Sequence, residues 1–242
     1  MEKKLIVVNG ICHSYVQDKK IMILNDLNFE IEKGEFVSVL GRSGCGKTTL
    51  TNIIAGYIKP TRGEILINNT TVNKPGKNRI VVNQENDLFE WMTVWENMRL
   101  VSKNKENINK YLSLVELGHI KQDFPNSLSG GMKKRLSLAR ALVVNPEFLI
   151  LDEPFSSLDY STKQSLHVEL AKIFTTTKKT TLLVTHTIEE AIFLSDRIII
   201  LGGKPTSIIK IIKVDFSRPR KLSIKKTKKF NNLKDVIELS YK

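Results

Sequence analysis

The chain has 242 residues, of which 41% are hydrophobic and 26% charged, a composition typical of globular proteins. No apolar run approaches the roughly 18 residues that a membrane-spanning helix needs, and Cys12 and Cys45 are too few for a disulfide framework. We therefore expect a cytosolic protein. The net charge is +13, and residues 203–242 carry 12 Lys and Arg against 3 Asp and Glu. Such a basic segment is either a solvated surface or a contact for nucleic acid or anionic lipid.

Two strand-like stretches open the chain and lead to a glycine-rich turn. In the second stretch Leu27, Phe29 and Ile31 alternate with polar residues, which is typical of a half-buried antiparallel strand. The uniformly apolar segment 36–40 predicts a buried strand of a parallel sheet. After the turn, the sequence predicts a helix that is closed by Pro60. These elements indicate an antiparallel β subdomain beside the start of a parallel sheet.

Helical spacing replaces the strand pattern in the middle of the chain, and we expect residues 85–135 to form an inserted α-helical subdomain. The helix that follows is indicated by apolar residues on one face, which are Met132, Leu136, Ala139 and Val143. Strands and helices then alternate, as in a parallel α/β sheet, and Thr187 and Glu190 match a capping box. Residues 203–242 predict a hairpin, a basic loop and a short helix. We interpret 1–242 as one α/β domain.

The turn after segment 36–40 matches the phosphate-binding P-loop pattern in full. Its glycines let backbone N–H groups surround a phosphate at a helix N-terminus, where the helix dipole also favours an anion. Lys47 is expected to reach the β- and γ-phosphate oxygens, and the Thr48 hydroxyl to bind Mg²⁺. Cys45 is interpreted either as a tolerated small residue or as a redox switch. The residues predicted to hold the phosphates are Gly41, Ser43, Gly44, Cys45, Gly46, Lys47, Thr48 and Thr49.

Acidic residues follow the buried strand 148–151, at the strand end where α/β sheets place their ligands. Asp152 is suited to hold Mg²⁺, and Glu153 to orient and polarise an attacking water. His186 ends another strand at the same edge, so we expect it to contact a γ-phosphate. Gln84 follows a further strand and is a candidate sensor of the metal or of the attacking water. Together these residues predict hydrolysis of ATP with Mg²⁺ at one sheet edge.

A second anion-binding device lies farther along the chain. Ser129, Gly130 and Gly131 offer a capping hydroxyl and free N–H groups at a helix start. Because a helical subdomain separates them from the P-loop, we interpret them as acting in a two-fold homodimer, in which each chain caps the γ-phosphate held by its partner. ATP would then hold the two chains together, and hydrolysis would release them.

The order and spacing of these motifs resemble those of the ATP-binding-cassette (ABC) ATPases over nearly the whole chain. The resemblance rests on the P-loop, Gln84 and the stretches LSGGMKKR, LILDEP, SSLD and VTHTIEEA. It implies that Gln84 couples the nucleotide to a transmembrane partner and that Glu153 is the catalytic base. It also implies that Asp159 belongs to a dimer-contact loop and that His186 is a switch histidine.

The resemblance also bears on two motifs whose roles the residues leave open. Ser129 to Met132 are similar to the signature that acts in trans on the partner's nucleotide. Tyr15, judged from the residues alone, either stacks on adenine, which is worth roughly 1–3 kcal/mol, or packs into the core. The resemblance implies adenine stacking, and it implies ATP and Mg²⁺ as the bound groups.

Within the family, the chain resembles importer ATPases for nitrate, sulfonates, taurine and pyrimidine vitamin precursors. This implies transmembrane permease subunits at the cytoplasmic face of the membrane and, indirectly, an extracytoplasmic substrate-binding protein. Asn83 and Glu90 depart from the pattern of this group near the expected docking surface, so the sequence does not define the transported substrate. Trp91, Met92 and Trp95 are candidates for an apolar patch that receives a permease helix, or for core packing.

Two other functions stay open on the sequence. A soluble ABC ATPase would act on nucleic acid or an assembly scaffold through the basic C-terminal segment. The interval between the P-loop and Ser129 leaves no room for the long coiled coil of chromosome-associated relatives, so a nucleic-acid partner is not expected. An exporter cassette would need no binding protein, and only the resemblance argues against it.

Overall fold

The computed structural model describes residues 4–16, 20–85 and 87–240, and these ranges contain ten strands and seven α-helices. The strands are β1 (Lys4–Val16), β2 (Lys20–Glu32), β3 (Phe36–Leu40), β4 (Arg62–Ile67), β5 (Thr70–Thr71), β6 (Arg79–Val82), β7 (Phe148–Asp152), β8 (Thr180–Thr185), β9 (Arg197–Gly202) and β10 (Ser207–Lys213). The helices are α1 (Lys47–Ala55), α2 (Val94–Arg99), α3 (Lys105–Leu114), α4 (Gly130–Val143), α5 (Tyr160–Thr177), α6 (Ile188–Leu194) and α7 (Lys228–Leu239). Short 3-10 turns cover Pro125–Ser127 and Leu222–Lys226.

A four-stranded antiparallel sheet has the order β2-β1-β4-β5. On β2, Leu27, Phe29 and Ile31 are buried, whereas Asn28 between them is exposed. This is the alternation that the sequence predicted, because successive side chains of a strand point to opposite faces.

A six-stranded sheet has the order β10-β9-β3-β8-β7-β6, in which all strands run parallel except β10. Successive residues of β7 enter two different cores. Phe148 and Ile150 pack with α1 and the antiparallel sheet, whereas Leu149 and Leu151 pack with α4 and α5. Burial on both faces explains why these strands read as continuous apolar runs. The predicted α/β class with an antiparallel β subdomain is confirmed.

Helices α2, α3 and α4 follow β6, in the region where the sequence predicted an inserted helical subdomain. Met98 and Leu112 pack against Leu136 and Leu142 of α4. Helix α4 passes without a break through residue 135, the predicted limit of the insertion. The subdomain division itself stays a prediction. Among the described residues, none of the helices has the length and hydropathy that crossing a bilayer requires.

The C-terminal segment packs onto α6 through apolar and cationic side chains. Phe230 and Ile237 of α7 are buried in a cluster with residues of α6 and β9. Arg220, 4% exposed, donates to the carbonyl oxygens of Ile192 and Ser195 at 2.8 and 2.7 Å. Burial is the main cause that lowers the pKa of Arg220 to about 10. Part of the basic excess is therefore structural, since Arg220 satisfies carbonyl groups at the end of α6.

Two local predictions are wrong. Helix α1 does not extend to Pro60 but ends at Ala55, because Gly56 adopts φ 86° and its N–H bonds to the carbonyls of Asn52 and Ile53. The capping box at Thr187 and Glu190 does not form either. Glu190 is 4% exposed and bonds to Thr185 inside the protein instead.

Candidate active site

The phosphate loop connects β3 to α1 through backbone conformations that require glycine. Gly44 and Gly46 have φ values of 76° and 92°, a region that other residues rarely adopt. A Cβ on Gly46 would lie 2.8 Å from Ile23 Cγ2 and 2.9 Å from Leu24 Cδ2. The loop thus ends on the N-terminus of α1, where N–H groups that lack intrahelical partners can donate hydrogen bonds to a phosphate.

Lys47 is 5% exposed and its ammonium group contacts both the loop and a carboxylate. It donates to the carbonyl oxygens of Gly41 and Arg42 at 3.0 and 3.2 Å. Its Nζ lies 3.4 Å from Glu153 Oε1. The ammonium therefore stands at the mouth of the phosphate loop, within reach of the acidic residues after β7.

The residues after β7 and β8 meet at the carboxyl edge of the parallel sheet. Leu40 pairs with Thr185, and Asp152 pairs with Val184, so three strand ends lie side by side. Glu153 has φ 46° and donates its N–H to Val184 O at 2.9 Å. Its Oε2 lies 3.1 Å from His186 Nδ1. The structure thus brings Lys47, Glu153 and His186 together, as their positions after three strands predicted.

Asp152 is partly buried beside Glu153. Burial, followed by the negative charge of Glu153, raises the pKa of Asp152 to about 6, although Lys47 opposes this shift. A cation bound beside this carboxylate would stabilise its ionised form and lower its pKa, since a positive charge nearby favours the ionised form.

The three residues predicted to bind a metal through oxygen atoms, Thr48, Gln84 and Asp152, line one cavity of about 460 Å³ together with Glu153. Hydroxyl, amide and carboxylate oxygens are the ligands that Mg²⁺ prefers. The residues present therefore fit Mg²⁺. They would hold it between the phosphate loop and β7.

Gln84 is exposed at this cavity, and its backbone is held by α4. Lys134, 3% exposed, donates to Asn83 O at 3.2 Å and also to Gln84 O. Burial lowers the pKa of Lys134, but the nearby carboxylates of Asp87 and Glu85 oppose this. The sequence analysis missed Lys134, because nothing in the local sequence shows which carbonyl groups a helical lysine will meet.

Ser129 begins α4, and its Oγ accepts the N–H of Met132 at 3.3 Å, as a helix cap. Ser129 and Gly130 are exposed, while Gly131 is packed so closely that a Cβ on it would lie 2.6 Å from Thr162 Cγ2. None of these three residues lines the cavity that contains Thr48 and Asp152. The structure therefore places the second anion device apart from the metal ligands of the same chain.

Asp159 caps α5. It accepts the N–H and the hydroxyl of Thr162 at 3.0 and 2.6 Å and the hydroxyl of Ser161 at 2.6 Å. These hydrogen bonds, led by the one from Ser161, hold the pKa of Asp159 well below its usual range. Its carboxylate thus fixes the start of α5. The implied role of its loop in a dimer contact stays a prediction.

Tyr15 lies near the first turn of α1. Its ring is 41% exposed and packs edge-to-face on His13 at 4.8 Å, and its hydroxyl lies 3.4 Å from Thr49 Oγ1. The ring is therefore not packed into the core, and its stacking on adenine stays a prediction.

Burial raises the pKa of Cys45. This favours the reading of Cys45 as a tolerated small residue, because reactive cysteines have lowered pKa values.

Comparison with known proteins identifies the chain's relatives. The ABC transporter family matches residues 24–156. The ABC transporter ATP-binding protein MJ0412 of Methanocaldococcus jannaschii is 39% identical over 100% of this chain and 96% of its own length. The aliphatic sulfonates import ATP-binding protein SsuB of Bacillus anthracis is 42% identical over 84% and 83%, respectively. The nitrate import ATP-binding protein NrtD of Synechococcus elongatus is 38% identical over 81% and 76%.

The solved structures that resemble this fold include two states of one cassette. One is a dimeric bacterial ABC transporter cassette, MJ0796, with a TM-score of 0.75 and 30% identity over 88% of this chain and 100% of that one. The other is the same cassette in a dimeric post-hydrolysis state bound to ADP and Pi, with a TM-score of 0.74, 28% identity and the same coverage.

A phosphate loop after β3 and paired carboxylates at the end of β7, on the same edge of a parallel sheet, define a P-loop nucleoside triphosphatase. The sequence relatives narrow this class to one family. The chain belongs to the ABC transporter family, and it is an ABC ATPase with relatives among the ATP-binding cassettes of importers. The resemblance seen in the sequence is confirmed.

The elevated pKa of Asp152 leads to a testable prediction about the thermal stability of the protein. Because the folded-state pKa of about 6 exceeds the ordinary aspartate value of 3.8, ionisation of Asp152 opposes folding. Asp152→Asn should raise the melting temperature by roughly 5 °C at pH 7.5 without nucleotide or Mg²⁺. The gain should grow between about pH 4 and pH 6 and vanish below. Asp235→Asn, at an exposed position of α7, is the control. An equal gain at pH 4 would contradict the prediction.

Proposed function

We propose that the chain is the ATP-hydrolysing subunit of an ABC importer and that it acts as a homodimer on permease subunits at the cytoplasmic face of the membrane. The observation that carries this proposal is its similarity to cassettes named for import of aliphatic sulfonates and of nitrate. The transported molecule would be small, of the nitrate, sulfonate or taurine kind or a vitamin precursor. An extracytoplasmic binding protein would deliver it to the permease.

The dimer would contain two ATP molecules at its interface. Ser129 and Gly130 are exposed at the N-terminus of α4, apart from the metal ligands of their own chain. A two-fold axis would place each of these caps against the γ-phosphate in the partner's loop, since an isologous interface makes the same contact twice. The dimeric form of the similar cassette MJ0796 supports this arrangement.

In the proposed reaction, water attacks the γ-phosphate and ADP and phosphate are released. Glu153 would accept a proton from the water, and His186, beside it at 3.1 Å, would hold the γ-phosphate. Lys47 would exchange its contacts with loop carbonyls for phosphate oxygens. Mg²⁺, held by Thr48, Gln84 and Asp152, would supply charge neutralisation on the phosphates. Catalysis then depends on positioning and electrostatic stabilisation.

The permease would dock beside Trp91. This ring is 72% exposed and packs on Phe89 at 5.4 Å, whereas Trp95 packs against the core. Buried Asn97 fixes the loop by accepting the N–H of Phe89 and donating to the carbonyls of Phe89 and Met92. A preformed exposed aromatic surface of this kind suits a helix of a partner protein.

Copurification from gently solubilised membranes tests the proposal. The tagged chain should recover a multi-spanning permease. Trp91→Ala should reduce this recovery at least fivefold, because exposed aromatic side chains often carry much of the binding energy. Tyr57→Ala, which removes another exposed aromatic ring, is the matched control and should recover the permease normally. A soluble protein or a nucleic acid in place of the permease would overturn the importer assignment.

A further inference from the structure

His186 lies between β8 and α6, in a short loop that is held by two buried side chains. Thr185, 1% exposed, donates its hydroxyl to Glu190 Oε2 at 2.6 Å. The same hydroxyl oxygen accepts the N–H of Thr187 at 3.0 Å. One hydroxyl thus joins the residue after His186 to a carboxylate on α6. The backbone on both sides of the imidazole is tied to that point.

The position of Glu190 explains why the predicted capping box fails. Its side chain does not turn back to the backbone of Thr187 but enters the protein, where it is 4% exposed. Burial is the main cause that raises the pKa of Glu190, whereas the hydrogen bond from Thr185 lowers it. Buried carboxylates are costly unless they are hydrogen-bonded, and the Thr185 hydroxyl supplies such a hydrogen bond to Glu190.

Glu190 also lies near residues of α5 and of the segment that follows Glu153. Its Oε1 lies 3.8 Å from Nε2 of His167 on α5, which is itself 1% exposed. His167 packs edge-on against Phe155 at 4.5 Å, in the segment between Glu153 and Asp159. The Glu190 side chain therefore lies between the His186 loop and the segment between Glu153 and Asp159.

We infer that Thr185 and Glu190 are positioning residues for His186, an inference that rests on the proposed contact of His186 with the γ-phosphate. The hydrogen-bonded pair fixes the backbone of the loop, and the imidazole is then held at 3.1 Å from Glu153. Both positioning residues are buried, so neither is exposed to a bound nucleotide. Their effect on hydrolysis passes through the orientation of His186 alone.

Thr185→Val tests the inference, because it removes the hydroxyl and keeps the shape of the side chain. We expect kcat for ATP hydrolysis to fall about tenfold, with KM for ATP changed less than twofold. Thr185→Ser restores the hydroxyl and should recover most of kcat. Glu190→Met should match Thr185→Val, whereas Glu190→Gln keeps an acceptor oxygen and should stay near wild type.

Thr181→Val is the matched control. Thr181 lies on the same strand, is 0% exposed and donates its hydroxyl to Lys179 O at 3.0 Å, at the end away from the site. It should leave kcat unchanged. An equal fall in kcat for Thr181→Val and Thr185→Val would overturn the inference, since both effects would then reflect general damage to β8.

Combination with His186→Ala separates the inference from the proposed function. If Thr185 acts through His186, Thr185→Val should cause no further loss of kcat in that background, and additive losses would overturn the inference. The ring NMR signals of the four histidines give an independent readout. The His186 signal should shift in Thr185→Val but not in Thr181→Val. Wild-type hydrolysis by His186→Ala would reject the proposed role of His186, whereas an unshifted ring signal would reject its positioning.

Discussion

Glu153→Gln is expected to stop ATP turnover and to trap two chains around bound ATP. The substitution preserves shape but removes the carboxylate that would accept a proton, so kcat should fall about 10²–10³-fold. Lys47, 3.4 Å from Glu153, keeps its position at the phosphate loop, and ATP binding should persist. In ATP and Mg²⁺ the variant should elute as a dimer, measured by size-exclusion chromatography with light scattering.

The controls separate trapping from nonspecific association. ADP in place of ATP should leave Glu153→Gln monomeric, because no γ-phosphate is present to join the two chains. Adding Lys47→Ala should also abolish the dimer, since the phosphate loop loses its cation. Glu106→Gln, at an exposed position in the first turn of α3, should hydrolyse ATP normally. A Glu153→Gln chain that stays monomeric at high concentration would reject the ATP-held dimer for the isolated chain.

Much of the site was predictable because its signals are local. Buried strands are visible in the sequence as apolar runs. The residues that bind ligands in a parallel sheet come after the carboxyl ends of such runs. Glu153 and His186 each come directly after a strand, and Lys47 begins the helix that the P-loop joins to β3, so their meeting follows from the fold class. The P-loop is equally local, because positive φ values at Gly44 and Gly46 require glycine at fixed spacing.

The capping motifs show where local signals fail. Residues Thr93 and Glu96 form a full capping box at the start of α2, although the sequence analysis did not single them out. Thr187 and Glu190 have the same spacing, yet Glu190 bonds to Thr185 instead. The two cases differ in burial, since Glu96 is exposed and Glu190 is inside. The pattern cannot distinguish them, because packing against β8 decides which hydrogen bond forms.

Contacts between distant segments could also not be predicted from the sequence. Lys134 holds the backbone of Gln84 from 50 residues away, and Arg220 satisfies carbonyls at the end of α6. The sequence interpretation did not single out Lys134, and it left the basic segment that contains Arg220 as either a solvated surface or a contact for nucleic acid or anionic lipid. Buried cations of this kind are stable because backbone carbonyls replace their water, and the partner carbonyls are defined only by the tertiary fold.

Mixing two inactive variants should restore hydrolysis if Ser129 acts on the partner's nucleotide. Lys47→Ala removes the phosphate-loop cation. Ser129→Glu places a negative charge against the γ-phosphate, while an acidic group at a helix N-terminus keeps α4 stable. In a homodimer of either variant both sites are defective. In a mixed dimer one site combines the intact loop of one chain with the intact cap of the other, so about one quarter of all sites in an equal mixture should be functional.

The restored activity distinguishes action in trans from action in cis. If each Ser129 served the nucleotide of its own chain, every site in the mixture would stay defective and phosphate release would not exceed the sum of the separate samples. If the dimer hydrolyses ATP only when both of its sites are intact, the mixture will show no turnover. In that case Glu153→Gln is added to both variants, and the ATP retained per dimer is measured instead. Mixed dimers should then retain ATP in their one intact site, whereas homodimers retain none. No retention in the mixture would reject the trans arrangement.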